Sequence, residues 1–477
     1  MKKPIASAIA VLLAFNSHAQ TSVTFGTFEK PFTADSPWNI RPVDPVLIPA
    51  ELPAACGPKI EPTSELGPPV FLSKPGDPEV IVYPPIGNTN PQANQLQDLD
   101  GPIPFTSVKV KHFPADVQPA YGGDGHADIV DHETGVIHSF YGLKKTNGVW
   151  RAIAYAWTTI NGRGWGDPSH IYQGARAVGV PPMAGIIRKH EIDDGEEIYQ
   201  HALALSLDMK GLSPNPAYVY PATHADKDSN VKHTGKVPEG ALLMLPSDYE
   251  IQVVNPKLKK VVETLKTFGA RVVDENGCVP YWIYVETGAA FSLYTGADAA
   301  EVSRITAELD RIRQNLKIAT TSSYIDGNGQ PTSGELGDKV NLLSMRGVWA
   351  ATQGGPAAPY NGQTGRVEFP AIPSSVEQAN GSGQMVSGGP VENNRPGLTW
   401  ARPEVGATYR FTVQATGDST MHFAMMDGPT GKPVQMTKSL KNGESATLLW
   451  RAGTYLGAWA FNPANKAGSV RATMIKE

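Results

Sequence analysis

Ala127-Asp128-Ile129-Val130, Val136-Ile137-His138-Ser139-Phe140-Tyr141 and the run Trp150 to Thr158 are short stretches of β-branched and aromatic residues, broken by Gly135, Asn147 and Gly148. Runs of this length between turn formers read as consecutive antiparallel strands. The same pattern recurs at His201 to Leu207, Ala217 to Tyr220, Ala241 to Leu245, Arg271 to Asp274 and Tyr281 to Val285. It predicts a mainly β fold, with a jelly-roll or β-sandwich main domain over 121–320. Two helices interrupt it. In Pro256 to Phe268 the apolar residues Leu258, Val261, Val262, Leu265 and Phe268 recur at spacings of 3 and 4, with Pro256 near the start and Gly269 past the end. Val302, Ile305, Leu309, Ile312 and Leu316 form a similar narrow stripe within 299–317. Both are expected to pack on the sheets.

Residues 20–120 are Pro-rich and read as an extended segment packed on the main domain. Residues 321–388, rich in Gly, Ser and Asn, read as a connection, and alternating runs across 389–477 predict a small accessory β-sandwich. At the start, Lys2 and Lys3, the apolar run Ile5 to Phe15 and Ser17-His18-Ala19 have the form of a secretory signal, with cleavage expected before Gln20. That run is shorter than the roughly 20 residues that span a bilayer, so no membrane span is expected. An exported chain with two cysteines, Cys56 and Cys278, is expected to pair them and tie the N-terminal segment to the end of the main domain.

The 477 residues are 40% hydrophobic and 18% charged, enough apolar material for a substantial core. A net charge of -5 gives no reason to bind nucleic acid. Serine-hydrolase elbows, His-Glu-x-x-His, Walker loops and dinucleotide fingerprints in their proper settings are absent from the sequence.

Nine of the 11 histidines lie between His112 and His233, which marks that stretch for chemistry. In Gly125-His126-Ala127-Asp128, period 2 places His126 and Asp128 on one strand face, as an oriented base or as metal ligands. His201 shares a face with Tyr199. Tyr220, His224 and Asp226 lie where a strand candidate runs into a polar loop. Arg188, isolated after an apolar run, would clamp a carboxylate or pair with Glu191 or Asp193. Trp157, Trp165 and Tyr172 are expected as exposed faces for stacking on sugar rings.

Ser36-Pro37-Trp38-Asn39, Gly125-His126, Pro181 to Arg188, His201-Ala202-Leu203, Tyr220 to Asp226, Pro238-Glu239-Gly240-Ala241 and Val272-Val273-Asp274 together resemble a group of secreted bacterial β-rich proteins common in actinomycetes. The resemblance spans about residues 30–290. It implies a secreted β-rich domain with motif positions at His126, Arg188, His201 and His224, and supplies no reaction.

These readings lead to an exported polysaccharide-degrading enzyme, first as a lyase. Arg188 would neutralise a uronate carboxylate, while His126, His201, His224 and Tyr220 would move protons. A glycoside hydrolase would instead use carboxyl groups from Asp128, Asp131, Glu191 and Asp226. Either enzyme works with no cofactor or with one divalent ion, for which His126, Asp128 and His224 are the candidate ligands. A non-catalytic carbohydrate-binding or cell-surface protein, or a metal-storage protein, completes the alternatives. No protein partner is expected.

Overall fold

The computed structural model describes residues 24–63, 67–100, 104–166, 171–333, 341–345, 348–351, 360–361, 366–371, 377–378, 381–388, 398–400 and 403–477. The expected signal, 1–19, lies outside them. The fold is mainly β, as the strand pattern predicts.

A seven-stranded sheet forms the middle layer of the main domain, in the order Val46–Pro49, Lys317–Thr320, Leu242–Met244, Ala270–Asn276, Leu203–Asp208, Tyr281–Val285, Lys59–Pro62. Its strand directions are mixed. Leu203–Asp208 runs parallel to Ala270–Asn276 and antiparallel to Tyr281–Val285. The helices Pro256–Thr267 and Ala299–Asn315 cover one face, where Leu258, Val261, Val262 and Leu265 pack with Ile305, Leu309 and Ile312 against Leu203, Leu205 and Ile283. Each such fully buried side chain stabilises the fold by about 1.5–3 kcal/mol. Asn255 caps the first helix through Leu258 N, and Gly269 ends it at φ 73°, where a Cβ would meet Leu243 O at 2.7 Å.

The opposite face carries Ala202, Ala204, Val273 and Tyr284. These pack on Val130 and Ile137 of a five-stranded sheet ordered Val70–Leu72, Ala127–Val130, Val136–Tyr141, Ala154–Thr159, Gln97–Asp98. Its far side, with Ala127, Ile129 and Phe140, is covered by Val82, Val108 and Val110 of a two-stranded ribbon. The main domain is thus a stack of helices, sheet, sheet and ribbon, and its two sheets face each other as a sandwich.

Pro-rich residues 41–110 supply edge strands to both sheets, so this segment is built into the layers. Ala217 to Tyr220 makes only an isolated bridge, Tyr218 to Glu239, because Pro216 and Pro221 lack the amide a ladder needs. At the C-terminal end, Val348–Ala351, Gly381–Gly388, Thr454–Pro463 and Thr420–Asp427 face a four-stranded sheet built from Val367–Phe369, Gly468–Lys476, Thr408–Thr416 and Ser445–Leu449. The sandwich therefore begins inside the stretch expected to be a connection. Trp349, Val367 and Phe369 already belong to its core.

Cys56 and Cys278 form a disulfide with Cα atoms 5.5 Å apart, the pairing expected from the sequence. It closes a separation of 222 residues and joins the N-terminal segment to the turn between Ala270–Asn276 and Tyr281–Val285. Replacing both cysteines by serine is expected to lower unfolding stability by about 2–5 kcal/mol, measured by denaturant titration of oxidised wild type and the variant. Among the described residues, no helix is long and apolar enough to cross a membrane.

Candidate functional site

Alternation along Ala127–Val130 sends Ala127 and Ile129 to the ribbon side, and His126, Asp128 and Val130 toward the seven-stranded sheet. His126 and Asp128 thus share the face the sequence assigns them, between the two sheets. Burial lowers the His126 pKa to about 3, so its imidazole is neutral, and its Nδ1 has no hydrogen-bond partner. Asp128 is fully buried, its Oδ2 accepts the Met183 amide at 2.6 Å, and burial raises its carboxyl to about 6.

Facing them, strand Ala270–Asn276 contains a bulge. Leu205 pairs with Val272, but Ser206 pairs with Asp274. The extra residue re-aims the strand so that Asp274 follows Val273 to the inter-sheet side. There Arg176 Nη1 donates to Asp274 Oδ2 at 2.6 Å, and the guanidinium lies 4.2 Å over the Tyr284 ring. Burial and the charge of Asp226 push Asp274 up to about 8, against the pull of Arg176.

Asp226 and Glu239 complete the acidic group. Glu239 Oε2 accepts the Asp226 amide at 2.8 Å, and Asp226 Oδ2 accepts the Glu275 amide at 3.0 Å. Glu239 is fully buried. Burial, then the charge of Asp226, raises its carboxyl well above the usual range, and the two side chains share a hydrogen bond. Gly240 fixes this turn at φ 84°, since a Cβ there would meet Val219 O at 2.1 Å. Burial raises Asp226 and also Asp124, the latter opposed by Arg176.

The partly exposed members are Asp124, Tyr141, His224, Asp226 and Asp274, while Arg176, His126 and Glu239 are buried. His224 Nδ1 is 3.0 Å from Thr223 Oγ1, and its ring lies 4.7 Å from Tyr172. Asp100 fixes that segment by accepting the Ile171 and Tyr172 amides at 3.0 and 2.9 Å. On the outer side of the loop at 121–126, an open groove of about 720 Å³ is edged by Tyr121, Lys144, Lys145 and Trp150.

Other expected site residues lie elsewhere. Arg188 is buried with its Nε 2.9 Å from Glu286 and its Nη1 3.2 Å from Phe28 O, so its guanidinium pairs with Glu286 rather than Glu191 or Asp193, while Glu191 Oε2 accepts the Arg188 backbone amide at 2.9 Å. His201 Nε2 lies 3.2 Å from Glu191, and its Nδ1 lies 2.8 Å from Ala202 O. Burial opposes the charge on Glu191, but His201 holds it to about 2. Tyr220 sits by Arg163 Nη2 at 3.5 Å.

Trp165, expected as an exposed stacking face, is instead fully buried, stacked 5.4 Å from Trp38 and bonded to Val178 O. Tyr172 is buried too, its phenol donating to Ala177 O, and Trp157 packs on the core beneath the ribbon. These rings are large enough that packing claims them before a ligand can. Among the described residues, His126, Asp128 and His224 do not come together as a metal-ligand set. The sequence reading names neither Arg176 nor a role for Glu239, Asp274 and Asp124. Glu239 and Asp274 occur in motif segments of the resemblance, but nothing local announces the bulge that turns Asp274 inward.

The fold and this site define a mainly β protein with a carboxyl-rich centre between two sheets. No family model matches the chain, and no curated protein matches it. Among solved structures it is similar to the glycosylation-associated protein complex of Streptococcus agalactiae, at 11% identity and TM-score 0.19, over 28% of this chain and 44% of that one. It is also similar to accessory secretory proteins 1, 2 and 3 of Streptococcus pneumoniae, at 8% identity and TM-score 0.18, over 29% of this chain and 96% of that one. A third likeness is to the enzymatically active domain of tailspike protein 4 of bacteriophage CBA120, at 14% identity and TM-score 0.14, over 28% of this chain and 19% of that one.

Proposed function

We propose that the protein is an exported enzyme that cleaves glycosidic bonds of a polysaccharide, with Asp274 as proton donor and Asp226 as the opposing carboxylate. The carrying observation is the pair itself. Burial and the charge of Asp226 raise the Asp274 carboxyl to about 8, which keeps it protonated near neutral pH, and burial with the charge of Glu275 raises Asp226 beside it. Glu239 behind Asp226 acts as a positioning residue, holding a proton against it. His224 and Tyr141 are partly exposed, and the groove with Tyr121, Trp150 and two lysines suits a long sugar chain carrying carboxylates or sulfates.

A lyase reading has one observation in its favour. The Nε and Nη2 of buried Arg176 lack a protein acceptor, and such a cation would stabilise a uronate enolate. This replaces Arg188, which Glu286 occupies, as the cation of that scheme. Incubation with neutral and uronic-acid polysaccharides separates the two. New reducing ends without unsaturated-uronate absorbance support hydrolysis, absorbance supports elimination, and binding without chain shortening would overturn the enzymatic proposal. If the groove carries the polymer, replacing Lys144 and Lys145 by alanine is expected to raise KM for an anionic substrate about fivefold at low salt, leave kcat unchanged, and lose its effect at high salt.

A further inference from the structure

His112, Asp131 and His132 lie on the far side of the five-stranded sheet's turn, outside the carboxyl centre, and their ligand-capable atoms all fall within 4.8 Å of one another. The residues come from two chain segments. His112 follows the ribbon strand Val108–Val110, and Asp131 and His132 open the turn between Ala127–Val130 and Val136–Tyr141.

Each donor is already oriented. Asp131 is nearly fully buried, its Oδ1 accepts the Glu133 and Thr134 amides at 2.9 Å each, and its Oδ2 lies 2.9 Å from His112 Nδ1. Ser73 Oγ accepts the His132 amide and lies 2.8 Å from His132 Nδ1. The two rings stand 4.7 Å apart, edge to face. Ser73 Oγ on Nδ1 fixes the His132 ring and leaves its Nε2 for an ion, while His112 Nδ1 and Asp131 Oδ2, 2.9 Å apart, would exchange their mutual bond for shared coordination. Glu133 Oε2, held by Lys111 Nζ at 2.5 Å, lies 3.4 Å from His112 Nε2 and steadies the other end of that ring.

We propose that His112, Asp131 and His132 form a binding site for a divalent transition-metal ion of the zinc class, which clips the ribbon to the five-stranded sheet. Two imidazoles and a carboxylate suit zinc, whereas calcium and magnesium require mainly oxygen donors. The ion's role is structural. It would bridge two layers otherwise joined there by the Lys111 to Glu133 pair at 2.5 Å and by apolar packing.

The test uses tag-free, full-length mature protein stripped with chelator and titrated with zinc chloride by calorimetry, with thermal melts alongside. The expected result is one equivalent bound at low micromolar Kd or tighter, with a rise in Tm. His112→Ala and His132→Ala should each weaken binding by about tenfold or more and remove the Tm rise, while His190→Ala, at an exposed histidine elsewhere, should behave as wild type. His132 is exposed, so its variant should fold even if substitution at His112 disturbs the turn. Absence of saturable binding, or stoichiometric binding that survives the double substitution, would overturn the proposal. The readouts are binding and melting, so the result stands apart from any assay of polysaccharide cleavage.

Discussion

Asp274→Asn is expected to lower kcat by about 10²–10⁴ with little change in fold, the scale on which a positioned general acid acts. Asparagine is isosteric, and its carbonyl can still accept from Arg176 Nη1, so the 2.6 Å bond survives while the transferable proton does not. The pH profile follows from the same group. Its folded pKa of about 8 stands above the ordinary 3.8, so wild-type activity should fall as pH rises through about 8. Stability carries the matching sign. Between those values the native state binds more protons than the unfolded chain, so this group's contribution to stability declines with rising pH, and Asp274→Asn should remove that decline. Asp128→Asn is the contrasting variant. Burial also raises the Asp128 carboxyl, to about 6, but it is sealed behind Met183, so its substitution should register in melting more than in rate. Full activity in Asp274→Asn would remove it from catalysis.

Why the sequence shows half of this centre and hides the rest is a matter of distance. The strand runs at 127–130 and 136–141 and the helix at 256–267 announce themselves through period, since alternation and the 3.6-residue repeat are local properties. His126 and Asp128 on one face follow from the same rule. Arg176 meets Asp274 across 98 residues, and Glu239 meets Asp226 through a turn that only Gly240 permits. The bulge that sends Asp274 inward is a pairing property of two strands and leaves no mark on either alone. His126, Asp128, His224 and Asp226 therefore stand out in the sequence, while Glu239 and Asp274, in motif segments of their own, read as ordinary polar residues and Arg188 points to a different part of the fold. Trp165 fails for the opposite reason. Aromaticity reads the same whether a ring faces a sugar or Trp38, and only packing decides.

Arg188→Met is expected to cost about 3–5 kcal/mol of stability, because it strands a buried carboxylate. Glu286 is nearly inaccessible, and its Oε2 accepts from both Arg188 Nε at 2.9 Å and the Lys189 amide at 3.0 Å. Lys189 Nζ, at 3.3 Å from Oε1, is half exposed and offsets little of the lost charge. The guanidinium also stacks 4.5 Å over Phe28 and bonds its carbonyl, so the N-terminal segment at 28 should loosen in the same variant. Glu286→Gln keeps an acceptor for the Lys189 amide and removes the charge that Arg188 was balancing. Combined with Arg188→Met it should therefore recover about 1–3 kcal/mol relative to additivity, a coupling that denaturant titration of the four proteins measures. A substrate clamp would behave otherwise. Its loss would leave unfolding unchanged and cut kcat/KM for a uronic-acid polymer, and Glu286→Gln would restore nothing. The structural role predicts that Arg188→Met, assayed well below its melting temperature, keeps kcat for the proposed reaction within about threefold of wild type, because its guanidinium is committed to Glu286 and Phe28 O, away from the carboxyl centre.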